Sequence, residues 1–428
     1  MIATLLIVLF ALLFLSTPIA ASIGFACVSV FKTFPQFASY EVVLGQSNVS
    51  SLDSFSLLAI PYFMLMGSLM SRTGIAGKLV SLAKMLTGDR PGGLGMAAVI
   101  ASMFFAAISG SGPATVAAVG GILAMPMIEQ GYDRAYTGSL LAAGSTIGPV
   151  IPPSIPMVMF GVTIGVSVTE MFTAGFFPGF LMGAGLIIYN HFISKKHGWR
   201  GNVNTMTRAE KKELFVSAIP AILMPIIVLG GIYAGIFTPT ECAAVGVVYC
   251  LIVGKFVYKN LTMKKFTDAL FEAAITSATV MILFGSANVL GRLLTIGKIS
   301  QTMQTVLTTI SENRFVIMLM INSMLLIIGM FLDTISSILI FAPVFAPIMS
   351  ALGYDMAYFG VIMVVNLCIG MITPPMAANF YIGQRLAGAT FEGMLKQILP
   401  IIGVLCITLI LMLIFPQIVT FLPALLGM

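Results

Sequence analysis

Apolar stretches broken by short polar or Gly/Pro-rich joints run the length of the chain. They cover 2–31, 54–70, 93–108, 113–128, 135–165, 171–193, 214–236, 239–258, 268–290, 313–331, 336–350, 355–385 and 394–425. A helix needs about 20 apolar residues to cross a bilayer, so most of these stretches predict crossings and the chain reads as all-α and polytopic. Four pieces, 93–108, 113–128, 313–331 and 336–350, are mostly shorter than that. They pair around polar tips, Ser109-Gly110-Ser111-Gly112-Pro113 and Asp333-Thr334-Ile335-Ser336-Ser337. Short arms around a polar tip predict two re-entrant helical hairpins, each entering and leaving on one side; the other reading is four short full crossings. The first stretch is expected to stay as an uncleaved span, since no basic residue precedes Lys32 and the run outlasts a signal-peptide core.

The pattern also repeats. Gly131-Tyr132-Asp133 with Ala135, Tyr136 and Gly138 recurs as Gly353-Tyr354-Asp355 with Ala357, Tyr358 and Gly360, an offset of 222 residues. The same offset carries Ile147-Gly148 onto Ile369-Gly370, Pro152-Pro153 onto Pro374-Pro375, Gly161 onto Gly383 and Pro178 onto Pro400. Gly/Pro-interrupted segments at matching places in two halves of a membrane protein point to a transporter and to its binding site.

Composition agrees with a membrane protein: 59% of the residues are hydrophobic and 8% charged, against about 25% charged in soluble domains. The net charge of +6 does not signal nucleic acid, because the basic residues border apolar stretches. With the loops alternating across the bilayer, one side collects Arg72, Lys78, Lys84, Arg90, Arg134, Lys195, Lys196, Arg200, Arg208, Lys211, Lys212, Lys255, Lys259, Lys264, Lys265, Arg385 and Lys396. Only Lys32, Arg292, Lys298 and Arg314 of the 21 Lys and Arg residues fall on the other. The positive-inside rule makes the rich side cytoplasmic, which places the N-terminus inside, the C-terminus outside, and the two copies of the repeat in inverted orientation. Either reading of the hairpins leaves these sides unchanged. Cys27, Cys242, Cys250, Cys368 and Cys406 lie in apolar runs without metal-ligand spacing and read as small buried hydrophobes. The methionines read as lipid-facing and core filler.

The chemistry concentrates at the repeat. Proline lacks an amide hydrogen, so Pro152-Pro153 deprive the carbonyls of Gly148 and Pro149 of helical donors, and Pro374-Pro375 do the same to Gly370 and Met371. Such carbonyls persist at membrane depth only where they meet protein, water or an ion. Carbonyl and hydroxyl oxygens suit a bare alkali cation, and the candidate Na⁺ donors are Ser109, Ser111, Gly148, Ile151 and Pro153 in one half. In the other they are Asp333, Gly370, Thr373 and Met376. A plain proline kink explains one such pair, whereas two copies, each with a Ser- or Asp-bearing tip, favour ion sites. Gly110-Ser111-Gly112 lets backbone approach a ligand, and Pro113 suits the start of the second arm, whose amides and positive end favour an anion. Candidate substrate contacts are Ser111, Gly112, Ser154, Thr334, Asn366 and Asn379; for Asn366 and Asn379 an interhelical hydrogen bond is the alternative.

Single polar residues divide by context. Asp333 is the one acid between Glu312 and Asp355; an acid at membrane depth is functional by default, with helix capping as the rival role. Thr238-Pro239-Thr240-Glu241 reads as a capping box with Pro at the first helical position. Arg292 reads as a snorkelling side chain near a helix end rather than a carboxylate clamp, and His191 and His197 flank a cytoplasmic loop without a chemical role. No Gly-x-x-x-x-Gly-Lys-Ser/Thr loop is present, so an ion gradient is the expected energy source and any solute-capture domain a separate chain. A channel would need a continuous polar stripe, and an intramembrane enzyme a nucleophile beside a base; the sequence suggests neither.

Ser109-Gly110-Ser111-Gly112-Pro113-Ala114-Thr115-Val116, Gly148-Pro149-Val150-Ile151-Pro152-Pro153-Ser154, Gly235-Ile236-Phe237-Thr238-Pro239-Thr240-Glu241 and Ile372-Thr373-Pro374-Pro375 resemble the large membrane subunit of tripartite ATP-independent periplasmic (TRAP) transporters. The resemblance covers essentially the whole chain. It implies an inverted-repeat, elevator-type fold and Na⁺-coupled uptake of an organic acid, such as a C4-dicarboxylate or sialic acid, across the bacterial inner membrane. It further implies a separate small four-helix membrane subunit and a soluble periplasmic substrate-binding protein. The matched hairpin tips and Pro-Pro segments would then be the Na⁺ and substrate sites. The corresponding organisation is N-terminal scaffold spans over 1–92, a first transport repeat over 93–193 and further scaffold over 194–312. A second transport repeat over 313–393 and a C-terminal span over 394–428 follow. A stand-alone Na⁺/divalent-anion symporter would share the inverted hairpins but need no binding protein.

Overall fold

The computed structural model describes residues 1–35, 40–201 and 207–428. The described residues form helices and no strand. The N-terminal half holds α1 (Ile2–Phe14), α2 (Ile19–Thr33), α3 (Tyr40–Ser50), α4 (Ala59–Thr73), α5 (Ile75–Thr87), α6 (Gly93–Ser109), α7 (Gly112–Glu129), α8 (Arg134–Ser145), α9 (Ile155–Ile164) and α10 (Val168–His197). The C-terminal half holds α11 (Arg208–Tyr233), α12 (Pro239–Ile252), α13 (Met263–Ile296), α14 (Ile299–Ile310), α15 (Arg314–Phe331), α16 (Thr334–Ala351), α17 (Met356–Gly370), α18 (Ala378–Ala387), α19 (Phe391–Ile414) and α20 (Gln417–Leu425). Among the described residues, 9 helical segments are long and apolar enough to cross a membrane.

Helix starts follow from local chemistry. Asp133 accepts from the Tyr136 amide at 2.9 Å, and its repeat partner Asp355 accepts from the Tyr358 amide at 2.7 Å. These caps satisfy amides that a helix start leaves without partners. The capping box at Thr238 forms as its sequence suggests: the Thr238 amide donates to Glu241 at 2.8 Å, the Glu241 amide to the Thr238 hydroxyl at 3.3 Å, and Pro239 opens the helix. The five cysteines are free thiols, four buried and Cys406 half-buried.

The 222-residue register extends to the helices. It sets α3 and α4 against α13, α5 against α14, α6–α7 against α15–α16, α8–α9 against α17–α18, and α10 against α19. Packing follows the same exchange: α2 lies on α13 as α12 lies on α4, and α18 packs on α7 as α9 packs on α16. The hairpin arms are thus covered by the broken helix of the opposite half. The elements α3–α5 and α13–α14, expected only as scaffold, take part in the same repeat.

Three expectations change. The stretch 2–31 is two helices rather than one span: Ser16 turns the backbone left-handed (φ 59) and Pro18 caps α2. Proline supplies no donor to the preceding turn, so the helix stops and restarts, and α1 packs back on α2. Met1 thereby comes to rest against Gly297, just past the C-terminal end of α13. The stretch 394–425 breaks likewise at Phe415-Pro416 into α19 and α20. Finally, α3, α5 and α14 are helices in polar stretches that read as loops. In α5 the apolar face Ile75, Leu79, Leu82 and Ala83 is buried, the i, i+3, i+4 stripe of an amphipathic helix.

Candidate functional site

Both Pro-Pro segments interrupt their helices as the sequence suggests. The first break lies between α8 and α9 and the second between α17 and α18, with the Pro152–Pro153 and Pro374–Pro375 bonds both cis. Each break meets a hairpin tip.

At the first tip, α6 ends on Gly110 in the left-handed region (φ 58), Ser111 is extended, and Pro113 sits in the first turn of α7. The tip gathers oxygens. The Thr115 hydroxyl donates to the Ser111 carbonyl at 2.7 Å and lies 3.2 Å from the Ser109 hydroxyl, which itself lies 3.4 Å from the Ser111 carbonyl. Gly148 closes this cluster. A Cβ there would stand 2.8 Å from the Thr115 hydroxyl, 2.9 Å from the Ser111 carbonyl and 3.0 Å from the Ser145 carbonyl. A Cβ on Gly110 would stand 2.5 Å from the Pro153 carbonyl. Ser109, Ser111, Gly148 and Pro153 are therefore brought together. Ile151 is buried in the break, and buried Ser154 is spent locally: its hydroxyl donates to the Pro149 carbonyl and accepts from the Met157 amide at 3.2 Å.

The second tip is built differently. Asp333 is exposed and caps α16, accepting from the Ile335 and Ser336 amides at 3.0 and 3.1 Å and from the Ser336 hydroxyl. Gly370 lies on Gly329 of α15, where a Cβ would fall 2.5 Å from a backbone carbon. The Gly370 carbonyl is not left bare: the Thr373 amide, just before the prolines, turns back to it at 2.9 Å. The Thr373 hydroxyl donates to the Ile369 carbonyl at 2.8 Å, and the Met376 amide donates to the Met330 carbonyl at 3.1 Å. The second break is thereby fastened to the end of α15, with the Met376 side chain exposed. The hydroxyls of Thr334 and Ser337, in the first turn of α16, are buried without a hydrogen-bond partner.

The two asparagines part ways. The Asn366 amide donates to the Asn322 carbonyl and side-chain oxygen, both at 2.8 Å, so Asn366 makes the interhelical bond between α15 and α17 and is absent from the tips. Asn379 is fully buried with neither side-chain polar atom bonded. It faces the first tip from the second half: a Cβ on Gly112 would stand 2.6 Å from its amide nitrogen. A buried amide without partners is costly and marks a place where a ligand or water completes the bonding.

Thr115 and Ser337 were not singled out in the sequence, yet the offset of 222 pairs them just as it pairs Ser111 with Asp333. Reading the register through the tips would have found both. Among the described residues no three His, Cys, Asp or Glu side chains converge. The donors at the first tip are hydroxyl and carbonyl oxygens, a set that fits a hard cation.

Residues 6–418 match the family described as the tripartite ATP-independent periplasmic transporter, DctM component. The chain is 39% identical over 96% of its length to the isethionate TRAP transporter permease protein DctMQ of Oleidesulfovibrio alaskensis, and spans 64% of that longer relative. It is 35% identical to the sialic acid TRAP transporter large permease protein SiaM of Vibrio cholerae, covering 97% of this chain and 96% of the relative. The fold is similar to the crystal structure of the Alcanivorax borkumensis YdaH transporter, with a TM-score of 0.62 over 87% of each chain at 15% identity.

Proposed function

The chain belongs to the DctM component family of tripartite ATP-independent periplasmic transporters, and from that membership we propose that it imports an organic acid across the bacterial inner membrane, driven by Na⁺. The acid class is the carboxylate or sulfonate type carried by its relatives. A soluble periplasmic protein delivers it, and a small four-helix membrane subunit accompanies this chain. The short tip-bearing pairs α6–α7 and α15–α16 act as re-entrant hairpins. The cytoplasmic side is the one rich in Lys and Arg, and Met1, beside Gly297, shares the periplasmic side with the C-terminus.

One observation carries the reading: the first tip holds an oxygen cluster around Gly148, and the partnerless amide of Asn379 reaches that tip from the opposite half. The hydroxyls of Ser109 and Thr115 with the Ser111 carbonyl hold Na⁺. Gly370, Thr373, Met376 and Asp333 frame the second ion position. The acid takes hydrogen bonds from the Asn379 amide and from the start of α7, whose free amides and positive end favour an anion. Neutralising the acid with Na⁺ lowers the cost of moving both through a low-dielectric region. The hairpins and broken helices then move as one body against the scaffold, an elevator in which Gly67 of α4 forms part of the seam: a Cβ there would stand 3.4 Å from the Ser109 Cα.

The test is uptake into proteoliposomes holding this chain and its small subunit. Succinate, isethionate and N-acetylneuraminate are offered with and without the binding protein and with and without an inward Na⁺ gradient. Uptake of one of them that requires both additions is expected. Uptake indifferent to Na⁺ would overturn the coupling, and uptake indifferent to the binding protein would point to a stand-alone symporter.

A further inference from the structure

A cavity of about 440 Å³ opens between α13, the end of α9 and the middle of α16. It lies at the end of α13 that the loop charges assign to the outside. Arg292 lines it, exposed and with no hydrogen-bond or ion-pair partner among the described residues. Three arginines are engaged elsewhere: Arg72 pairs with Glu272 at 2.8 Å, Arg134 donates to the Ala387 carbonyl at 3.2 Å, and Arg314 lies over the Tyr354 ring. Asn288 and Thr295, four residues before and three after Arg292, share its helix face and line the same space; the side-chain oxygen of Asn288 is buried without a partner. The opposite wall is Thr163 of α9 with Leu339 and Pro343 of α16.

A guanidinium and an amide share one face, the Thr295 hydroxyl beside them turns back to the Gly291 carbonyl at 2.9 Å, and Thr163, Leu339 and Pro343 stand opposite; together they make a concave small-molecule site for an anion. A fork of guanidinium donors fits two oxygens of one carboxylate or sulfonate, and the volume is in the range of small-ligand pockets. A lipid-snorkelling arginine needs neither the concavity nor the neighbouring amide. Position adds to the case. Leu339 follows Asp333 by six residues, about 9 Å along the helix at 1.5 Å per residue, so the cavity's wall runs down to the second tip. Its two sides belong to a scaffold helix and to the hairpin that moves against it.

We propose that Arg292, with the Asn288 amide beside it, forms an outward vestibule on the scaffold that takes the carboxylate or sulfonate of the acid before it reaches the hairpin tips. This rests on the proposed carriage of an organic acid. The site is transient by construction, because closing the seam between α13 and α16 would reshape it and release the anion inward.

The experiment uses the complex of this chain with its small subunit. A Thr295→Cys reporter is labelled with maleimide in the presence of succinate, isethionate or N-acetylneuraminate, each against chloride at equal ionic strength. One of the acids is expected to slow labelling in the Arg292 background, with its half-protecting concentration rising at least fivefold in Arg292→Gln and by less in Arg292→Lys. In parallel, uptake with the binding protein is expected to slow at least threefold in Arg292→Gln, while the binding-protein concentration for half-maximal rate stays within twofold. Equal protection in both backgrounds, or none by an acid that the wild type transports, overturns the vestibule and leaves the transport reading intact. A shift in the binding-protein requirement without protection also overturns it, making Arg292 a protein contact. Absence of uptake of all three acids by the wild type speaks against the transport reading instead, and the labelling data then stand alone.

Discussion

Replacing Gly148 by alanine is the sharpest probe of the first ion position. The added Cβ would stand 2.8, 2.9 and 3.0 Å from the Thr115 hydroxyl and the Ser111 and Ser145 carbonyls, where relaxed carbon–oxygen contacts begin near about 3.3 Å. Two of the three neighbours are backbone, so the break and the tip must separate by several tenths of an ångström. Overpacking of this kind costs about 1–3 kcal/mol, roughly 5- to 150-fold in an equilibrium constant. Since two of the three crowded atoms, the Thr115 hydroxyl and the Ser111 carbonyl, are proposed donors, most of that cost is expected to fall on Na⁺ binding. At a Na⁺ concentration of about 100 Kd, tenfold weaker binding removes about 1.3 kcal/mol of ligand-linked stability. The assay is a Na⁺ titration of uptake together with the Na⁺-induced rise in Tm of the purified complex. Gly148→Ala should raise half-saturating Na⁺ at least fivefold and shrink the Tm gain. Gly121→Ala, on the α7 arm that carries Thr115 and with nothing within 4 Å of the new Cβ, should change neither and gain about 0.5–1 kcal/mol of helix stability. Wild-type Na⁺ dependence in Gly148→Ala would refute the assignment of the oxygen cluster as an ion site.

Asn379→Leu removes a buried amide that has no protein partner, so stability should hold or rise while uptake falls at least tenfold; a stable variant with unchanged uptake would take Asn379 out of the acid's path. Thr115→Val and Ser337→Ala should each raise half-saturating Na⁺ by about 2- to 12-fold, the worth of one hydroxyl contact at roughly 0.5–1.5 kcal/mol, and equal wild-type titrations would show that the register has no bearing on the ions. Asp333→Ala should lower stability by about 1 kcal/mol through loss of the cap and also weaken Na⁺ dependence. Asp333→Ser should restore the stability alone, and recovery of both by serine would reduce Asp333 to a cap.

The features legible in the sequence are those with a local covalent cause. Pro152-Pro153 and Pro374-Pro375 broke their helices because proline lacks a donor, and Thr238 capped α12 because its partner Glu241 lies three residues on. What stayed hidden depends on distant partners or on periodicity below the hydropathy of a full span. Asn366 is tied by Asn322, 44 residues away, a contact no window of sequence contains. The Thr373 amide turning back to Gly370 escaped an account that counted only the donors proline removes. The helix α5 lay in a stretch with Arg72, Lys78, Lys84 and Arg90 that charge marked as a loop, although its Ile75, Leu79 and Leu82 carry helical spacing. The break at Pro18 was readable by the same rule as the others and was masked by the apolar run around it.

The repeat does not duplicate chemistry evenly. Identities between the halves are mostly residues that shape backbone: Gly148 and Gly370, the two Pro-Pro pairs, Asp133 and Asp355. At positions facing the tips the halves differ: Ser109 against Phe331, Ser111 against Asp333, Gly112 against Thr334, Met157 against Asn379. One backbone frame is thus built twice, once with a neutral, hydroxyl-rich tip and once with an acidic one, and the partnerless side-chain amide of Asn379 reaches from the second half to the first tip. On the proposed reading, Gly and Pro of the frame set where the tip oxygens gather, the cations take the hydroxyls and carbonyls held there, and the acid meets Asn379 and Thr334, which lie outside that oxygen set. Ion dependence and acid preference then rest on different atoms. Substitutions at Thr334 or Asn379 should alter which acid is carried while leaving half-saturating Na⁺ within a few-fold, and substitutions at Gly148 or Gly370 should do the reverse.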